Sequence, residues 1–151
     1  MTTLNDILNT QSYIKNATGV GTKMHVLLQH IVIDGDIVHG NQDIIQKIKS
    51  NPELVRFFTP KSRTEVPIAG TVNGRFVSRR IDRLNIDDEN RVIDILDYKT
   101  DVNPDAFYLS YVAQISEYAQ LLRATYPAYT INCYILWTHD FSLEKIVCKQ
   151  V

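Results

Sequence analysis

Cysteine is scarce in this chain, with only Cys133 and Cys148 among 151 residues. Neither belongs to a Cys-x-x-Cys pair or stands at metal-ligand spacing from a histidine. A structural zinc site or an iron–sulfur cluster needs about four ligands, so neither is expected. The two cysteines read instead as small buried apolar side chains. Also missing is any apolar run near the ~20 residues of a membrane-spanning helix. Met1 to Tyr13 lacks the basic start and apolar core of a secretory signal. The expectation is a soluble cytoplasmic protein with no membrane partner. There is no internal repeat, no low-complexity tract and no Walker A lysine motif, so no ATP site and no coupling of ATP hydrolysis to unwinding is expected. A strong excess of one charge is absent too. The net charge is −1, which does not announce a nucleic-acid binder, although a local basic patch suffices to grip phosphates. Arg75, Arg79, Arg80 and Arg83 crowd into nine residues and read, taken alone, as a solvated strand face.

What is present fits one domain over 1–151 with a single core. Gly19 to Gly21 punctuate the start of a helix. From Lys23 onward, Met24, Leu27, Leu28 and Ile31 recur at the spacing of one helical face, and Asp34-Gly35-Asp36 ends that stretch. Asn41 or Asp43 caps a second helix through Ile44, Ile45 and Ile48. Asn51-Pro52-Glu53 opens a third, running to Phe58. Beyond Pro60 the period changes. Strands are predicted over Arg63–Ala69, Arg75–Asn85 and Arg91–Lys99, with turns at Gly70–Gly74 and Asp87–Asn90, as an antiparallel meander. Asn103-Pro104-Asp105 opens a loop before a long helix, Tyr108 to Tyr126, stopped by Pro127. Strands follow at Thr130–Thr138 and Leu143–Val151. The order of elements predicts an α/β fold with a mixed central sheet flanked by helices.

The strand Arg91–Lys99 carries the main chemical signal. Side chains alternate between faces, so Asp97 and Lys99 share one face about 7 Å apart, with Asp94 and Leu96 on the other. An Asp-x-Lys by itself reads as a strand end emerging into solvent. Asp82 changes that reading. It lies within Ile81-Asp82-Arg83-Leu84 on the preceding strand, where a carboxylate is costly unless paired or bound to a cation. The turn near Asp88 folds it back toward Asp97. Two readings stay open for Asp82: a salt bridge to a neighbouring arginine, or a carboxylate pair with Asp97 that holds a hard cation such as Mg²⁺ or Mn²⁺. Such a centre suits phosphodiester hydrolysis, with Lys99 orienting water or stabilising developing charge. Lys99 is expected to depress the Asp97 pKa. His25 on the first helix is a third candidate ligand, whereas His30, His39 and His139 read as ordinary packed or surface residues. Gln114 and Tyr118 share a helix face. Gln114 has little structural reason to lie among apolar neighbours, and holding a DNA phosphate or orienting Lys99 would supply one.

In order, the segments Gly21-Thr22-x-x-His25 with Leu27-Leu28-Gln29-His30, Glu65 to Gly70, Ile81-Asp82-Arg83-Leu84, Leu96-Asp97-Tyr98-Lys99-Thr100, Gln114-x-x-x-Tyr118 and Leu136-Trp137-Thr138 resemble the PD-(D/E)XK nuclease superfamily in its RecB-like branch. The likeness is nearest to the C-terminal nuclease domain of AddA-type helicase–nuclease subunits. It spans 21–138. The resemblance implies a restriction-endonuclease-like core. It implies a Mg²⁺ or Mn²⁺ held by His25, Asp82, Asp97 and the Tyr98 backbone carbonyl, with Lys99 as the catalytic lysine. Gln114, Tyr118, Glu65 and Arg80 stand as DNA-binding or supporting residues. The implied activity is a DNA nuclease, an exonuclease in break repair or recombination, with DNA as partner and a helicase subunit or larger helicase–nuclease chain beside it. The alternative is an inactive DNA-binding or assembly domain of the same complex. The chain departs from the pattern at Ile81, where proline is usual, and at Ser78-Arg79-Arg80, where related domains often carry glycine. The four-cysteine staple of some relatives is absent.

Overall fold

The structure, a computed structural model, describes residues 23–102 and 104–148. The glycine-marked helix start at 19–21, the Gly21-Thr22 portion of the first motif, Asn103 and the predicted end of the last strand at 149–151 lie outside the described residues. The described chain is an α/β fold in which a five-stranded mixed sheet is flanked by helices.

Helix α1 covers 23–29. The sequence pattern carries this helix through Ile31 and ends it at Asp34-Gly35-Asp36, but the helix stops at Gln29 and the segment after it forms a small antiparallel hairpin, β1 (Val32–Asp34) and β2 (Ile37–His39), with Gly35 in the left-handed region at its turn. Two β-rich triplets around Gly35-Asp36 are too short to show a period. Helix α2 (Gln42–Lys49) starts at Asn41, whose Oδ1 accepts from the Ile44 N–H at 3.1 Å. This settles the choice of cap between Asn41 and Asp43. Helix α3 (Pro52–Val55) tightens into a 3₁₀ turn at Arg56–Phe58.

The meander follows: β3 (Arg63–Val72), β4 (Arg75–Asp87) and β5 (Val92–Lys99), each pair antiparallel. β3 runs three residues further than its apolar pattern suggests, because Gly70 pairs with Val77 within the ladder. The turn is then just Asn73-Gly74. Both residues have positive φ, the geometry that matches the twist of a two-residue hairpin. Helix α4 (Tyr108–Thr125) carries the chain over the sheet, so that β6 (Thr130–Trp137) lies parallel to β5. β7 (Ser142–Ile146) closes the far edge.

Both faces of the sheet centre are covered. Along β5, Ile93 and Ile95 pack with Ile115, Tyr118 and Leu122 of α4. Leu96 and Tyr98 pack on the other side with Leu28 of α1, Ile45 and Ile48 of α2, and Phe57 and Phe58. A strand buried on both faces has no solvated side on which to place a charge. Asp97, next after Ile95 on the α4 side, is therefore held at 3% exposure. Cys133 of β6 and Cys148 beyond β7 are joined as a disulfide. This corrects their reading as unpaired small residues: 15 positions apart in sequence, they are brought together by the antiparallel β6–β7 pairing. No helix among the described residues is long and apolar enough to cross a membrane.

Candidate active site

The β4–β5 ladder runs from Asp87–Val92 to Arg83–Leu96 and stops there. On the other side of β4, the β3 register passes from Thr64–Arg83 to Val66–Ile81 without pairing the residues between them, Glu65 and Asp82. Asp82 thus sits at a break in both ladders, where its carboxylate takes the place of a backbone partner. Its Oδ2 accepts from the Tyr98 N–H at 2.8 Å. The same oxygen lies 3.3 Å from His25 Nε2, brought in by α1. The arginine salt bridge that the sequence leaves open for Asp82 is not formed among the described ion pairs. The imidazole ring also meets the Tyr98 ring edge-on, with centroids 5.2 Å apart.

Asp97 faces Asp82 across this break. Burial first and the charge of Asp82 second push its carboxyl up, the Lys99 ammonium pulls in the opposite direction, and the net result is a rise from 3.8 to about 6. The sequence reading has Lys99 winning this contest and depressing the pKa. Desolvation outweighs it, because Asp97 is held in an apolar layer beside a like charge. Lys99 Nζ stands 2.8 Å from Asp97 Oδ2 and donates to Gln114 Oε1 at 2.9 Å. Gln114 Nε2 in turn donates to the Tyr118 hydroxyl at 2.7 Å. Burial raises the Tyr118 phenol above its ordinary range, and the charges of Asp97 and Asp82 reinforce the change. The phenol stays neutral, and the relay from Lys99 through Gln114 to Tyr118 has a fixed direction.

The remaining sequence candidates lie at the rim. Glu65 has φ +52° and accepts weakly from Arg80 Nη1 at 3.5 Å, Arg80 itself being exposed. Two contributors escape the sequence reading. Tyr111 places its ring 4.4 Å from Lys99 Nζ and donates its hydroxyl proton to Asp101. Its position one turn before Ile115 suggests only core packing. Arg83 falls in the sequence with a solvated arginine face, yet it is 1% exposed. Alternation next to Asp82 is the available signal, since neighbours on a doubly covered strand both point inward.

The donor set suits a hard divalent cation. Two carboxylates, an imidazole nitrogen and a carbonyl oxygen are acceptable ligands for Mg²⁺ or Mn²⁺. Adjacent ligands on an octahedron with bonds of about 2.1 Å lie about 3 Å apart, close to the His25–Asp82 separation of 3.3 Å. Asp97 Oδ2 is buried, with the Lys99 ammonium 2.8 Å away as its partner among the described residues. The side chains do not form a ready-made cluster of three or more among the described residues. The contacts run in series, His25 to Asp82 and Asp82 to Asp97.

No protein-family model and no curated protein matches the chain. Among solved structures, it is similar to that of SSO0001, at a TM-score of 0.48 and 14% identity, over 98% of this chain and 59% of that one.

Proposed function

We propose that the chain is a metal-dependent DNA nuclease, a phosphodiester hydrolase of the RecB-like PD-(D/E)XK type, with Asp82, Asp97 and Lys99 as its reacting centre. The observation that carries this reading is the Asp82–Asp97 carboxylate pair, Asp97 buried and Asp82 half-buried, with the Lys99 ammonium against Asp97. A like-charged pair in an apolar layer raises the energy of the folded state, and binding a divalent cation offsets that cost. His25 Nε2, the two carboxylates and the Tyr98 carbonyl would hold the ion. When bound, Mg²⁺ or Mn²⁺ supplies Lewis acidity at the scissile phosphate and lowers the pKa of water. Lys99, fixed by Gln114, orients the attacking water and neutralises charge building on the phosphoryl oxygens. Water adds to phosphorus as the P–O bond to the leaving sugar breaks, and the leaving oxygen gains a proton. Exposed Arg80 and Arg79 on β4 suit the flanking phosphates, which need contacts of positive charge rather than base recognition.

The biological setting we propose is the processing of DNA ends in break repair or recombination, beside a helicase partner or within a larger helicase–nuclease chain, in the cytoplasm. The test incubates linear and closed circular DNA with the protein and Mg²⁺ or Mn²⁺, beside Asp97→Ala and Lys99→Ala. Cleavage of linear DNA should fall at least a hundredfold in both variants and vanish with chelator. Equal cutting by wild type and variants would remove the assigned site. DNA binding with no cleavage by any form would replace this reading with a binding or assembly domain.

A further inference from the structure

We propose that Arg83 is a positioning residue for this site: by fastening the end of α1 and the Tyr98 hydroxyl to one guanidinium, it sets His25 and the Tyr98 backbone against Asp82. The geometric part stands by itself, and only the effect on metal affinity rests on the reading given above.

Arg83 is a buried cation with no carboxylate partner among the described ion pairs. Its five N–H groups are spent on neutral acceptors instead. Nε donates to the Tyr98 hydroxyl at 2.8 Å. Nη1 donates to the Phe57 carbonyl at 2.9 Å and more weakly to Ser62 Oγ at 3.4 Å. Nη2 donates to the carbonyls of Leu28 at 2.7 Å, Ile31 at 2.9 Å and Gln29 at 3.4 Å. These last three lie at and just beyond the C-terminal end of α1, where carbonyls run short of i+4 partners and carry partial negative charge, the Leu28 carbonyl accepting also from the Ile31 N–H at 3.2 Å. The guanidinium also lies over the Phe58 ring at 4.2 Å.

An apolar side chain of similar size would fill this space without the cost of desolvating a charge. What an apolar side chain cannot do is hold three separate elements in a fixed fork. Nor can lysine, whose single ammonium has no planar spread of donors. The elements held are the ones that build the site. Asp82 and Arg83 are consecutive on β4 and point to opposite faces, yet both touch the same two partners. Asp82 takes His25 of α1 and the N–H of Tyr98. Arg83 takes the last carbonyls of α1 and the hydroxyl of Tyr98. His25 lies three residues before Leu28, one helical turn from the anchored carbonyl. Small rotations of α1 are therefore resisted at its end and read out at the imidazole.

The experiment uses the full chain carrying Arg83→Lys or Arg83→Met, with two readouts. In metal-free protein, NMR follows the proton–proton contact between the His25 and Tyr98 rings. Mn²⁺ affinity is measured by paramagnetic resonance titration of the free ion. Both variants should keep cooperative unfolding, lose the ring contact and bind Mn²⁺ at least tenfold more weakly, with lysine failing to rescue. Folded variants that keep the ring contact and bind Mn²⁺ within twofold of wild type would overturn the proposal. If neither variant folds, Tyr98→Phe removes only the hydroxyl that Nε holds. A severalfold loss of Mn²⁺ affinity with a displaced His25 ring supports the proposal there, and no change in either overturns it. If the wild type binds no Mn²⁺ at all, the metal reading fails, and the ring contact in metal-free protein still decides whether Arg83 positions His25.

Discussion

The Lys99 ammonium donates to Gln114 Oε1 at 2.9 Å, tying the last residue of β5 to the middle of α4. Because Gln114 Nε2 is committed to the Tyr118 hydroxyl, its amide cannot turn without losing two hydrogen bonds. Lys99 is therefore steered by a neutral acceptor as well as by Asp97. Gln114→Leu should lower kcat about 10- to 100-fold, roughly 1.4–2.7 kcal/mol of barrier, and leave KM for DNA within twofold. Steady-state kinetics on linear DNA separates the two roles the sequence allows for this residue. A raised KM at unchanged kcat would make Gln114 a DNA contact and not a lysine-orienting group.

The raised Asp97 pKa makes stability fall as pH rises. Below about pH 3.8 the carboxyl is protonated whether the chain is folded or not, and the raised pKa costs nothing. Between pH 3.8 and about 6 the unfolded chain has released this proton while the folded one retains it, so folding becomes progressively less favourable. Above about 6 the loss is complete, at about 3 kcal/mol, since each tenfold change in proton affinity corresponds to about 1.4 kcal/mol. Asp97→Asn removes the carboxyl and with it this slope. Metal-free Asp97→Asn should match wild type near pH 4 and exceed it at pH 7, read from urea midpoints at several pH values. Mn²⁺ at about 100 times its Kd adds about 2.7 kcal/mol to a protein that binds it. It should do so for the wild type alone, bringing the two close to parity. A wild-type-to-variant gap that does not change with pH would mean that Asp97 is not held protonated by burial.

How much of this is legible in the sequence depends on the range over which each feature is decided. The helical face at Met24, Leu27 and Leu28, the Asn51-Pro52 helix start and the alternating run into Lys99 are local patterns, and they lie where the pattern puts them, whereas Ile31 falls beyond the end of α1. Asp82 and Asp97 are brought to the same end of the β4–β5 ladder by the meander, which needs only one turn. Features decided by several distant segments are not legible. The depth at which Asp97 lies depends on helices covering both faces of β5, so the direction in which its pKa moves cannot be read from Lys99 two residues away. Arg83 looks like its exposed neighbours Arg79 and Arg80 because its acceptors lie 15 to 55 residues distant. The Cys133–Cys148 bond depends on β7 turning back along β6.

Glu65 combines a strained backbone with a carboxylate near the site, and the two contributions are separable. Its φ of +52° places a side chain in the left-handed region, opposite Asp82 at the break in the β3–β4 register. For a residue with a Cβ this costs on the order of 1 kcal/mol, and more for a β-branched one. Glu65→Val should destabilise the protein by about 1–2 kcal/mol. Glu65→Gly should be near neutral, because relief of the strain is offset by the greater entropy that glycine loses on folding. The carboxylate is a different matter. It reaches Arg80 only at 3.5 Å, a partly exposed contact of small value, yet its charge acts on the Tyr98 phenol inside the site. Glu65→Gln keeps the backbone cost and removes the charge, so its urea midpoint should equal wild type while its cleavage rate on linear DNA falls severalfold. A valine variant as stable as wild type would show that the position is not strained. A glutamine variant at full rate would place Glu65 outside the reaction, leaving its left-handed turn as the way β3 makes room for Asp82.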